Sequence, residues 1–145
     1  MSPLRLLSMS DGIYSASAPE PVGAYPHARK VGSLLFLSGV GPRERGSKII
    51  PGVETDAEGR VVSYDIEAQC HAMFRNVKAI LVEAGSGWDK IVDVTIFLTN
   101  MKRDFPTFNR IYAEYFKENH PARTTIEVGA LPTPIAIEMK VIALI

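Results

Sequence analysis

The chain has 145 residues, with 16 Lys and Arg against 16 Asp and Glu, three His and a single Cys. That length makes one domain with a core large enough to need no disulfide or metal staple, and one Cys neither closes an intrachain disulfide nor supplies a Cys-rich zinc site. The balanced charge counts against a nucleic-acid binder, which gains affinity by neutralising phosphates with a basic excess.

In chain order, residues 1–21 are rich in Ser, Ala and Pro without a period and read as a loose lead-in to a single domain over 22–145. Met1 to Asp11 lacks the roughly 7–15 apolar residues of a signal peptide, although Ala16-Ser17-Ala18 resembles a cleavage site. The longest apolar run, Val31 to Val40, is far short of the about 20 residues of a membrane span. The expectation is a cytoplasmic chain. Ala28 to Lys30 and Leu34 to Val40 flank Val31-Gly32-Ser33 as a hairpin. Gly41 to Arg60 holds four Gly and two Pro and reads as a long excursion with a short strand near Ile49-Ile50. From Tyr64 to Ala84 the residues Ile66, Cys70, Met73, Phe74, Val77, Ile80, Leu81 and Ala84 recur every three or four positions, the stripe of an amphipathic helix, with Ser63 as N-cap and Gly85 just past its end. Ile91 to Leu98 is a β-branched run that predicts a buried strand. A second helix is predicted from Phe105 to Lys117, capped by Asp104, with Phe105, Phe108, Ile111, Tyr112, Tyr115 and Phe116 on one face. Strands follow at Thr124 to Val128 and Ile135 to Leu144. In the last, Ile135, Ile137, Met139, Val141 and Ala143 point one way and Ala136, Glu138, Lys140, Ile142 and Leu144 the other. The order β-β-α-β-α-β-β gives an α+β fold with two helices on one face of a mixed sheet. The other sheet face, apolar with no helix left to cover it, calls for a partner subunit.

Motifs with conventional chemistry are missing. There is no Gly-x4-Gly-Lys-Ser/Thr loop, and Gly39-Val40-Gly41 lacks the third glycine of a dinucleotide fingerprint. His27, His71 and His120 are too dispersed for a paired-histidine metal motif, and Cys70 falls on the apolar stripe as a core residue. Two charged residues stand out. Glu138 lies mid-strand among isoleucines, where a carboxylate is rare unless paired or functional; a solvated face with Lys140 as neighbour is the other reading. Arg123, after Pro121-Ala122, could grip a carboxylate with its planar guanidinium or form a structural salt bridge with Glu138 or Glu127. Smaller candidates are Tyr25 in a Gly- and Pro-shaped loop, Ser38 and Gly39 at a strand end, and Asn109, each with a packing or solvent-facing alternative.

Together these positions resemble one family. His120-Pro121-Ala122-Arg123-Thr124-Thr125-Ile126-Glu127-Val128, then Leu131-Pro132 and Ile137-Glu138, are similar to the signature of the RidA (YjgF) family, as are Phe36-Leu37-Ser38-Gly39, Gln69, Asn76-Val77-Lys78-Ala79-Ile80-Leu81, Ala84-Gly85 and Asp104-Phe105 with Asn109, Tyr112 and Phe116. The resemblance implies a chorismate-mutase-like fold, homotrimers with inward-packed sheets and ligand clefts between subunits. It also implies hydrolysis of enamines and imines to oxo acids and ammonia without metal or organic cofactor. Carried over by position, Arg123 would bind the substrate carboxylate and Glu138 would activate water. Tyr25, Ser38, Gly39 and Asn109 would line the cleft. Many members have Cys where this chain has Thr125, so a thiol step is not expected, although Thr125 could still hydrogen-bond to substrate.

Tyr25-Pro26-His27, Ile50-Pro51-Gly52-Val53-Glu54-Thr55-Asp56 and Thr99-Asn100-Met101 look like the branch of 2-aminomuconate deaminases. That substrate is a dicarboxylate, for which His27, Arg43 or Arg45 would supply a second contact. The resemblance also leaves open a broad 2-iminoacid deaminase and, in another class, a non-catalytic ligand-binding regulator or RNA-acting protein. Partners expected are a small carboxylate substrate and further copies of the chain, with neither nucleic acid nor membrane.

Overall fold

A computed structural model describes residues 11–145; residues 1–10, where much of the predicted lead-in falls, lie outside the described residues. One mixed sheet carries β1 (Gly12–Ile13), β2 (Ala28–Val31), β3 (Leu34–Leu37), β6 (Ile91–Leu98), β7 (Ala122–Glu127) and β8 (Ile137–Leu144), in the order β1-β2-β3-β8-β6-β7. Only β6 and β7 run parallel, joined by a crossover through the second helix. The predicted α+β order with two helices and a mixed sheet is what forms, with three additions or corrections.

The first is β1, which pairs Gly12 with Arg29 and Ile13 with Ala28 inside the segment read as loose. Two residues are too few to show a period. The second is in the long excursion: Ile49-Ile50 is not a strand. Instead β4 (Val53–Thr55) and β5 (Val61–Tyr64) form a separate antiparallel hairpin. Its turn is built by Asp56, whose Oδ1 accepts from the Glu58 and Arg60 amides, and by Gly59 at φ 79°. The third concerns the helix starts. The first helix, α1, runs Ile66–Glu83 and is capped by Asp65, whose side chain accepts from the Glu67 and Ala68 amides, rather than by Ser63. The second, α2, starts a turn earlier than predicted, at Met101, with Asn100 accepting from the Arg103 amide as its cap. Pro106 sits inside the helix, past its first turn. Asp104 is freed for another use. It is 1% exposed and accepts a 2.6 Å hydrogen bond from the Tyr64 hydroxyl, which ties the β4–β5 hairpin to α2. Burial and that carboxylate push the Tyr64 phenol up to about 12.

The two helices cover one sheet face. Leu35 and Leu37, then Val94, Ile96 and Leu98, then Ile137, Met139, Val141 and Ala143 are all fully buried against Met73, Phe74, Val77, Ile80 and Leu81 of α1 and Phe108 and Ile111 of α2. Each large side chain so buried stabilises the fold by ~1.5–3 kcal/mol relative to exposure. The alternate residues Phe36, Phe97, Glu138 and Ile142 are half-exposed and Lys140, Leu144 and Ile126 are exposed, on the face that no helix of the chain covers.

Candidate functional site

Glu138 projects from β8 onto the loop that follows β3. The fit is tight at Gly39: a Cβ there would lie 2.9 Å from both the carboxyl carbon and Oε2 of Glu138. Only a residue without a side chain lets the carboxylate lie against the backbone at this point. Among the described residues the carboxylate has no hydrogen-bond or ion-pair partner, and burial alone pushes its pKa up from the ordinary 4.5. Beside it are two adjoining hollows of about 50 Å³ each, which share Tyr25, Gly39, Gly41 and Arg43. Each has room for at least one water. Glu138 borders one hollow; Ser38 and His27 border the other. The chain therefore gathers Tyr25, Ser38, Gly39, Arg43 and Glu138 into one cleft.

The cleft wall is held by bonds the sequence did not announce. The Asn76 amide donates to both Gly41 O and Arg43 O at 2.9 Å, fastening the loop to α1. Arg43 Nη2 donates to Glu20 O at 2.7 Å. Arg45 donates to Ser15 O and Ala18 O and pairs with Glu20 at 3.5 Å, so its guanidinium braces the loop and borders neither hollow. His27 is 7% exposed; its Nδ1 accepts from the Ser15 amide at 2.9 Å, so Nε2 carries the proton and donates to Pro19 O at 2.7 Å. Both ring nitrogens are engaged. Of the three residues considered for a second carboxylate, Arg43 alone borders the hollow of Glu138. Asn76 is a positioning group to which the sequence reading gave no role; its signals were its place in the family-like run Asn76 to Leu81 and an amide one position off the apolar stripe.

Arg123 stands elsewhere. It sits on β7, an edge strand, with its guanidinium carbon 4.6 Å from the Tyr112 ring centre, 5.4 Å from that of Phe108 and 5.9 Å from that of Phe105. These aromatic faces orient and stabilise the cation. It pairs with no carboxylate among the described residues, and neither expected salt bridge forms: Glu127 instead accepts from the Met101 amide at the start of α2. Thr125 lies two residues on, on the same face, with its hydroxyl buried and unpartnered. Asn109 is exposed on α2 and borders neither the Glu138 hollows nor the one beside Arg123.

Register shows how far apart the two charges are. Arg123 opposes Val94 on β6, and Glu138 opposes Phe97. Positions 94 and 97 differ by an odd number of residues, so the two side chains leave the sheet on opposite faces. Two strand spacings and three residues of rise separate their backbones by roughly 14 Å. One small substrate cannot touch both within a single chain.

The remaining candidates offer little chemistry. Burial pushes the Cys70 thiol up to about 12, which removes it as a nucleophile. Among the described residues no cluster of three or more His, Cys, Asp or Glu is placed to hold a metal ion, and no helix is long and apolar enough to cross a membrane.

Known proteins resemble the chain over most of its length. The Endoribonuclease L-PSP family matches residues 15–145. A RutC family protein of Pyrococcus abyssi is 41% identical over 131 residues, covering 90% of this chain and 94% of its own. Reactive Intermediate Deaminase A, chloroplastic, of Arabidopsis thaliana is 38% identical over 131 residues, 90% of this chain and 64% of that longer one. The crystal structure of E. coli TdcF with bound serine superimposes with a TM-score of 0.79 at 31% identity, covering 92% of this chain and 98% of that chain. With the sheet order, the helix placement and this extent of similarity in hand, the chain belongs to the Endoribonuclease L-PSP family, which includes RutC proteins and a reactive intermediate deaminase.

Proposed function

We propose that the protein hydrolyses the C=N bond of an imine, reached directly or by tautomerisation of an enamine, to a 2-oxo acid and ammonia. The observation that carries this is the Glu138 carboxylate: half-buried, unpartnered among the described residues, pressed against Gly39 and beside a water-sized hollow. Such a carboxylate takes a proton from water more readily than an exposed one. In the proposed reaction Glu138 accepts a proton as water oxygen bonds to the imine carbon. It returns that proton to nitrogen, and the carbinolamine collapses: its hydroxyl proton passes to the amine as the C–N bond breaks, giving C=O and NH₃. Imines hydrolyse unaided in water, so positioning with general acid–base help of about 10²–10⁴-fold is enough. No cofactor enters the scheme.

Arg123 is proposed to hold the substrate carboxylate in a two-pronged grip. Because it and Glu138 lie on opposite faces of one chain, the working site takes Arg123 from one copy and Glu138 from another. The uncovered sheet face, with Phe36, Phe97, Ile142 and Leu144 on it, supports association, and a homotrimer would satisfy both demands. The naming of one relative as a reactive intermediate deaminase and the bound serine of TdcF agree with a small carboxylate ligand. Within this class, 2-aminomuconate is the substrate proposed, a dicarboxylate whose second charge calls for a further cation beside Arg123.

The test is ammonia release from freshly generated 2-aminomuconate and from small 2-iminoacids. Faster turnover of aminomuconate supports the dedicated role, and equal rates assign a broad 2-iminoacid deaminase instead. Absence of release from every imine, together with RNA cleavage that depends on Arg123 or Glu138, would transfer the assignment to the RNA activity in the family's description.

A further inference from the structure

The hollow beside Arg123 differs from the Glu138 cleft in its charge. It measures about 360 Å³, within the range of small-ligand sites, and three basic side chains, Arg123, Lys117 and His120, meet there over a wall of Tyr112, Phe116 and Pro121 with no acidic residue in the lining. His120 Nε2 lies 3.1 Å from Lys117 O, which closes the turn after α2 and keeps these two residues together. Lys117 has no hydrogen-bond or ion-pair partner for its ammonium among the described residues. The cations considered earlier for a second carboxylate are committed: both nitrogens of His27 are bonded, Arg45 is bound to two carbonyls, and Arg43 donates to Glu20 O. From this placement we infer that Lys117 is a specificity-determining residue, which receives the second carboxylate of a 2-oxo or 2-imino diacid whose first carboxylate is held by Arg123. The inference rests on Arg123 as the carboxylate anchor and adds to it the class of substrate preferred.

Two ligands of equal chain length isolate the second charge: 2-oxoglutarate and 2-oxopentanoate, titrated calorimetrically into the full-length protein. The wild type binds the diacid more tightly. Lys117→Ala weakens 2-oxoglutarate by about fivefold, the scale of a partly exposed ion pair, and leaves 2-oxopentanoate within about twofold. Lys117→Glu reverses the preference, and Arg123→Ala removes binding of both. The inference is overturned if the wild type shows no preference, if Lys117→Ala weakens both ligands alike, or if Arg43→Ala abolishes the preference while Lys117→Ala does not. A retained, Lys117-dependent preference in a protein that releases no ammonia would uphold this inference while removing the hydrolytic reading. Binding unaffected by Arg123→Ala would remove the anchor itself.

Discussion

The Glu138 cleft and the Arg123 hollow are built in opposite ways. Around Glu138 the backbone is pinned: Asn76 grips two carbonyls, Arg43, Arg45 and His27 bind the segment before β2, and Gly39 lets the carboxylate seat against the chain. The carboxylate itself is left without a partner. Arg123 lies over aromatic rings without a carboxylate partner among the described residues, on an edge strand, and faces an open hollow that Lys117 and His120 also line. In the proposed reaction the first region supplies the general base and the second the substrate grip. Each is incomplete where the other is supplied, and register places them on opposite faces of the sheet. The fold thus places two charges in contrasting local environments, which the proposed association of copies would join.

The largest expected effect breaks the first half. Glu138→Gln should lower kcat for imine hydrolysis by about 10²–10⁴-fold, measured as ammonia release. The same carboxylate sets the pH dependence. Its folded pKa lies above the unfolded value, so between the two the folded chain holds more protons than the unfolded one, and stability falls as pH rises through that window. Ionised Glu138 therefore costs stability at neutral pH. Glu138→Gln should melt higher than the wild type there, and the gain should vanish as pH falls below the ordinary 4.5. Wild-type turnover should fall as pH is lowered through the raised pKa, because only the ionised form accepts the proton.

Breaking the second half comes next. Arg123→Ala should reduce kcat/KM by about a hundredfold, since hydrogen bonds to charged groups contribute ~1.5–3 kcal/mol. Arg123→Lys should recover only part of this, because an ammonium offers no planar fork. Gly39→Ala comes third. Its Cβ would displace the Glu138 carboxylate, and a shift of this kind should cost about tenfold in kcat with little change in KM. An unchanged kcat would show that the seat at Gly39 is incidental. Smallest is Asn76→Ala, which leaves two loop carbonyls without their donor and should lower stability by ~1–2 kcal/mol in thermal unfolding.

Much of the fold was legible because periodicity reports burial. The α1 stripe and the alternation of β8 appear in the structure as buried faces. Glu138 and Arg123 were legible as candidates because a carboxylate among isoleucines and a guanidinium at a strand entrance break the local pattern. Their separation was not legible. Alternation gives the phase within each strand, but which face Arg123 shares with Glu138 depends on pairing Arg123 with Val94 and Glu138 with Phe97, and that register is set by the assembled sheet. Hairpin β4–β5 went unseen because its strands are short and largely exposed, although Asp56 and Gly59 carried the turn signal. Asp104 was misread as a cap because its partner, Tyr64, is 40 residues away.

A site shared between copies, as proposed, is open to one decisive measurement. Glu138→Gln and Arg123→Ala chains, each inactive alone, are unfolded together in equal amounts and refolded, and ammonia release is compared with that of wild type treated the same way. If each site takes Arg123 from one copy and Glu138 from another, random mixing gives an intact pair with probability one half times one half, and about a quarter of wild-type activity returns. If both residues serve a site within one chain, every chain in the mixture carries a defect, and no activity returns.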